Sequence, residues 1–280
     1  MVLNGLFYFP WDSLRFPGVL QRIAVVYLLT SVAVLLAGQR VRISLCLAIL
    51  LIYWAVLTML PTPGHSAGDL TPEGNLAAVL DRYVFGRHLW HGGPCDPEGI
   101  LSTMPATATA LLGSLTTDLL RGPGRRVASA RLILAGAIGA LAGALWGLVF
   151  PINKNLWTSS YAAFTAGLAA LVFGLCCWAL EEQGWRKWAR AFECFGANPL
   201  ILYVASEIVG MWLLRDARHF FYRRLTDSEV LRQVPGYALY WATGPVLSPA
   251  AASLGWSLLY VGLWGTVAWI MYRKTIFLKL

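Results

Sequence analysis

Charge is scarce in this 280-residue chain. Only 13% of its residues are Asp, Glu, Lys or Arg, while 58% are hydrophobic and the mean hydropathy is +0.60. A soluble domain carries about 25% charged residues, so no stretch here can cover itself with charge, and a lipid-facing surface is the economical reading. Acids are scarcer than bases, 14 against 22, which leaves a formal net charge of +8. That surplus does not point to nucleic acid, because the basic residues fall in short clusters between apolar runs. Paired cysteines are missing too. Of five, Cys46, Cys176 and Cys177 lie inside apolar runs, Cys194 adjoins a basic loop, and Cys95 stands alone in a polar one. Neither a disulfide framework nor metal-ligand spacing emerges, so no metal site is expected. Met1–Phe9 is apolar but lacks a basic n-region and a cleavage site, so it does not read as a signal peptide. It reads as the tail of a helix whose start is absent. Internal repeats and matched broken helices, the signs of a transporter, are also lacking.

What is plentiful is long apolar runs and aromatic rings. Seven segments, near 19–37, 43–60, 101–120, 132–150, 158–180, 197–214 and 252–272, approach the roughly 20 residues that a ~30 Å hydrocarbon core requires. Backbone groups in lipid must be paired within the segment, so these are helices, and the chain is expected to be an all-α polytopic membrane bundle. Thirteen Trp and eleven Tyr suit the two membrane–water interfaces. The connections 61–100 and 215–250 are longer than ordinary helix-to-helix loops, which predicts folded or functional loops. Lys and Arg crowd alternate turns: Arg40 and Arg42, then Arg121, Arg125, Arg126 and Arg131, then Arg186, Lys187 and Arg190, and finally Arg273, Lys274 and Lys279. The positive-inside rule then places the C-terminus in the cytoplasm and loops 61–100, 151–157 and 215–250 outside.

Four polar stretches do not fit a plain hydrophobic bundle. Gln21 and Arg22 open the first spanning segment after Pro17-Gly18; Arg22 either snorkels to the interface or faces the bundle and binds an acid or phosphate. Asp96-Pro97-Glu98-Gly99 precedes another helix, where one acid serves as a cap and two, with Ser102 and Thr103, suggest a site. "PINKNLWTSSY", 151–161, puts Asn153, Lys154, Asn155 and Trp157 at a helix mouth, a richer set than an interfacial belt needs. Asn198-Pro199 is a helix start, and Glu207 two turns deeper is an ionisable group within a spanning segment, with Arg22 or Lys154 as partner. Gly139, Gly143 and Gly147 form a packing stripe. "RGPGRR", 121–126, is either a solvated positive-inside loop or a phosphate cradle.

The ordered stretches "RFPGVLQRIAVVYLL", "DPEGILSTMPATATALLG", "PINKNLWTSSYAAFTAGLA", "FGANPLILYVASE" and "YRKTIFLKL" resemble the heparan-alpha-glucosaminide N-acetyltransferase family of transmembrane acyltransferases, over nearly the whole chain. Loop 215–250 and the 62–80 region carry no such match. The resemblance implies one transmembrane acyltransferase domain, 1–280, that moves an acetyl group from acetyl-CoA across the membrane to a saccharide amine. The location it implies is a bacterial inner membrane, and a homodimer is compatible with it. It also implies a departure. The family's essential His lies in an earlier segment, and His65, His88, His91 and His219 do not match it. The chain therefore reads as an N-terminally truncated member.

Acyl transfer from a thioester needs a deprotonated amine, a stabilised carbonyl oxygen and exclusion of water. On this reading Asp96 or Glu98 orients the family's His or the acceptor, and Arg22 and Glu207 belong to the same substrate-binding set. Asn153, Lys154, Asn155 and Asn198 donate hydrogen bonds, Trp157 stacks on a sugar ring, and Arg125 and Arg126 meet the CoA pyrophosphate. Two other classes remain open: a transporter or flippase for a small polar solute, and an inactive membrane scaffold.

Overall fold

A computed structural model of the chain describes residues 14–90, 93–121, 125–210 and 249–277. Two compact units are formed, Met1–Gly184 and Trp185–Leu280. The described residues are helical apart from loops and one isolated bridge between Thr62 and His65.

In the first unit α1 (Val19–Leu36) and α2 (Gln39–Met59) are joined by the two-residue connection Ala37-Gly38, and both pack on the helix that begins at Thr103. A folded connection follows, containing the short helix α3 (Leu76–Phe85), which Asn75 caps by accepting from Ala78 N at 2.7 Å. Then come α4 (Thr103–Leu120), α5 (Arg125–Trp146) and α6 (Ser159–Cys177), the last ending in a π-helical turn, Trp178–Glu182. The connection 61–100 thus carries a capped helix of its own.

Cys46, Leu50, Tyr53 and Leu57 recur every three or four residues on α2, so they share one face. That face packs on Ala108 and Leu111 of α4, Ala162 of α6 and Phe150 of the turn before it. At the opposite end of the same pair, Arg42 donates to Asp118 at 2.6 Å and to Ser114 at 3.0 Å. Helices α5 and α6 approach almost backbone to backbone. A Cβ placed on Gly167 would lie 2.1 Å from Ala140 N, so only hydrogen fits there.

The second unit contains α7 (Ala189–Gly196), α8 (Pro199–Ile208) and α9 (Pro249–Arg273). Cys194 and Leu202 pack against Ala268, with Trp264, Val267 and Met271 around them.

Five described helices are long and apolar enough to cross a membrane: Val19–Leu36, Gln39–Met59, Val127–Trp146, Ser159–Glu182 and Ser253–Arg273. The protein is an integral membrane protein. The segment expected at 101–120 is an 18-residue helix, but five Thr make it less apolar than the others. Thr103, Thr107 and Thr109 return their hydroxyls to carbonyls four residues back, which keeps those groups paired inside the bundle. The segment expected at 197–214 gives the ten-residue apolar helix α8 and then passes beyond the described residues. Residues 1–13, the 122–124 part of the Gly-Pro-Gly loop and most of 215–250 also lie outside them.

Candidate functional site

The short segment before α1 is laced to the folded loop. Phe16 N donates to His88 O at 3.1 Å, the His88 ring nitrogen Nδ1 pairs with Leu14 O at 2.8 Å, and the two rings stack at 4.1 Å. Between these ties Arg15 reaches Asp96. Its Nε donates to Oδ2 at 2.9 Å and its Nη2 to Oδ1, and Nη2 also meets Glu98. Asp96 is buried and further accepts from Trp90 N at 2.9 Å and Glu98 N at 3.0 Å. Burial alone would lower the Arg15 pKa, but the hydrogen bond and charge of Asp96, then of Glu98, raise it overall.

This pinned loop delivers its polar groups to Arg22, in the first turn of α1. Arg22 is 8% exposed and is the one buried residue of that helix. It faces inward rather than snorkelling. Its Nη2 donates to Pro97 O at 2.7 Å and to Ser102 Oγ, and its Cζ lies 5.0 Å from the Trp157 ring centre, a cation–π contact. Arg22 Nε is buried with no hydrogen-bond partner. Trp157 in turn donates from Nε1 to Thr109 Oγ1 at 3.1 Å. Its backbone has φ of 51°, a left-handed conformation that a bulky residue rarely adopts. Such strain marks functional sites often enough to direct attention here.

Two cavities meet at Arg22. The smaller, about 380 Å³, is lined by Phe16, Gln21, Arg22, Phe85, Glu98 and Ile100 among others. The larger, about 930 Å³, runs along α1 and α4 past Tyr27, Thr30, Ser31, Thr109 and Trp157. Thr30 Oγ1 is a second buried polar atom without a partner. His65 and His88 line neither cavity, and His91 and His219 lie outside the described residues.

Behind the smaller cavity sits Asp81 of α3, 1% exposed, accepting from Ile100 N at 2.9 Å. Burial pushes its carboxyl up to about 6. Gly99 makes room for it, since a Cβ there would fall 1.7 Å from Asp81 Oδ2.

The other residues expected at a site are distributed as follows. Asn153 closes the turn before α6: its Oδ1 accepts from Asn155 N at 2.9 Å, and its N donates to Thr158 Oγ1 at 3.0 Å. Thr158 caps α6 by accepting from Tyr161 N, and Ser159 donates to Leu50 O at 2.6 Å. Lys154 and Asn155 are exposed. The polarity of 151–161 is therefore largely spent on turn closure and helix docking, and Trp157 is its member at the cavities. Asn198, in the second unit, is buried and donates from Nδ2 to Ile276 O at 2.8 Å; Glu207 is exposed on α8 of that unit. Arg125 and Arg126 begin α5, with side chains outside the described set. Arg15, Thr109 and Asp81 are the groups sequence reasoning passed over. The signal for Arg15 was an arginine in one polar stretch and two acids in another, 81 and 83 residues on.

No family model matches the chain. The chain is 26% identical over 328 aligned residues to human heparan-alpha-glucosaminide N-acetyltransferase, covering 96% of this chain and 45% of that protein. Its mouse counterpart is 23% identical over 323 residues, with the same coverage. The chain thus spans about 45% of the length of the curated relatives it matches. Through 96% of its length the chain is thus similar to heparan-alpha-glucosaminide N-acetyltransferases, and it carries apolar helices fit for a bilayer.

Proposed function

We propose that this chain forms the donor- and acceptor-binding part of a transmembrane N-acetyltransferase that takes an acetyl group from acetyl-CoA and passes it to the amine of a cell-envelope saccharide. The observation that carries the reading is Arg22: one buried guanidinium borders both cavities and keeps Nε unpaired between them. The larger cavity suits a long, mostly apolar acyl-thioester arm, and the partnerless Thr30 hydroxyl in its wall suits that arm's amides. The smaller cavity, with Glu98 on its wall, suits a protonated amine.

The thioester supplies an activated carbonyl whose carbon the acceptor nitrogen attacks, with the thiolate as leaving group. Arg22 places positive charge where the carbonyl oxygen becomes anionic, in surroundings of low dielectric. Trp157 and Ser102 hold that guanidinium in place. Glu98, anchored by Arg15, orients the amine. The amine's proton needs a base. The His that the family resemblance implies would serve as that base or as a transient acyl carrier, and none of the four in this chain matches it, so the chain alone is expected to bind acetyl-CoA without efficient turnover.

The test is acetyl-CoA binding by the purified chain in detergent or nanodiscs, measured by calorimetry. Arg22→Ala is expected to weaken binding by about tenfold or more, as for loss of a charged hydrogen bond. Unchanged affinity in a folded Arg22→Ala variant overturns the assignment. Solute uptake into proteoliposomes independent of acyl-CoA would favour the transporter class instead.

A further inference from the structure

The second unit presents a surface that acyl transfer does not use. Residues 185–190 read Trp-Arg-Lys-Trp-Ala-Arg and lead into α7. From 185 to 196 only Ala189 and Cys194 are buried. Cys194 faces α9, among Trp264, Val267, Ala268 and Met271, so α7 lies against the last turns of that helix. A second apolar stripe points elsewhere. Trp188 and Phe192, at i and i+4, are 46% and 68% exposed with rings edge to face at 5.8 Å, while the Phe195 ring turns towards Gly265 of α9. A short helix already docked on one side has no need of an aromatic stripe on another unless that stripe meets a further apolar phase.

Cations flank the stripe. Lys187 and Arg190 are exposed beside it. At the end of α9, Arg273 lies over the Trp269 ring at 4.8 Å and Lys274 follows, exposed. The Asn198 bond to Ile276 O ties the segment after α9 to the α7–α8 junction. Glu193 is the acid on α7. Rings that enter the acyl boundary with ammonium and guanidinium heads at phosphate height are the composition of an interfacial helix, and positive charge there complements anionic headgroups.

We propose that α7 and the end of α9 form an interfacial anchor that binds anionic phospholipid headgroups, with Trp188 and Phe192 at the acyl boundary and Lys187, Arg190, Arg273 and Lys274 on lipid phosphates. The partner is the lipid leaflet rather than a soluble anion, because the cations border an exposed aromatic stripe rather than a closed cleft.

The experiment reconstitutes the full chain in vesicles carrying spin-labelled phosphatidylglycerol or spin-labelled phosphatidylcholine and measures by EPR the motionally restricted fraction of each. The wild type is expected to prefer phosphatidylglycerol, and the preference to shrink with added salt. Replacing Lys187, Arg190, Arg273 and Lys274 together by Gln is expected to bring the ratio close to one. Each basic group near an anionic surface contributes on the order of fivefold to association. Glu193→Gln, which removes a charge from an exposed position and carries little folding risk, is expected to raise the preference. Equal restriction of both lipids by the wild type overturns the proposal. So does a preference that neither variant changes. Displacement of the anionic lipid by inorganic phosphate, beyond that caused by chloride of equal ionic strength, would mark a soluble-anion site and also overturn it.

Discussion

Two buried carboxylates of the folded loop, Asp81 and Asp96, are partnered differently. Asp96 gives both oxygens to four donors, two of them on Arg15. Asp96→Asn removes the charge and leaves one acceptor atom where two are used. Thermal unfolding in detergent is expected to show a loss of about 2–3 kcal/mol. Asp81 accepts from the Ile100 amide and is held at about 6, above the ordinary ~3.9 of an aspartate. Its folded-state pKa is raised, so its unfolded form ionises first. Stability therefore falls as pH rises from about 4 to about 6 and stays reduced above that. Asp81→Asn keeps an oxygen for the Ile100 amide and cannot ionise. Its melting temperature is expected to exceed the wild type's at pH 7.5 and to match it near pH 4. A variant less stable at both values would mean that the carboxylate is needed. Asp96 was legible as a candidate because it precedes a spanning helix with Glu98. That its oxygens are already occupied was not, since Arg15 and the Trp90 amide come from elsewhere in the chain.

Among the elements, the α5–α6 pair carries the closest packing. Gly167 and Ala140 leave no room for a methyl group between two backbones. Gly167→Ala is expected to separate the helices and to cost about 1–3 kcal/mol, visible as a lowered melting temperature, while Gly113→Ala, with open space around it, should cost nothing measurable. The α5 half of this contact could be read from four-residue glycine spacing at Gly139 and Gly143, because small residues at that period have few other uses in lipid. Its partner on α6 could not, since pairing is a property of the assembled bundle. The same limit applies to 151–161. Two Asn and two Ser announce unmet hydrogen bonds but not whether a ligand or the neighbouring turn will meet them. Here Asn153, Thr158 and Ser159 meet the chain itself.

For the whole molecule, fold class was the most legible property. Hydrophobic runs near twenty residues admit few structures in a bilayer, and five of the seven expected segments are described helices long and apolar enough to span it. The second unit's full extent was less so, because its long connection falls outside the described residues. The orientation proposed from the Lys and Arg distribution has a direct test. With the five native cysteines replaced, Arg87→Cys in the folded loop is expected to react with an impermeant maleimide on intact cells. Arg121→Cys, at the far end of α4, should react only after permeabilisation. The reverse pattern would invert the proposed topology and place the smaller cavity on the cytoplasmic side.

The left-handed residue at the mouth of α6 has one more consequence. Trp157 holds an unfavourable backbone angle while its indole is gripped from two sides, by Thr109 and by the Arg22 guanidinium. A guest entering the larger chamber competes for that grip, and loosening it frees the turn to relax. Occupancy would then be transmitted along the peptide to the Thr158 cap, so deuterium uptake at the Tyr161 amide becomes a gauge of whether the chamber is filled.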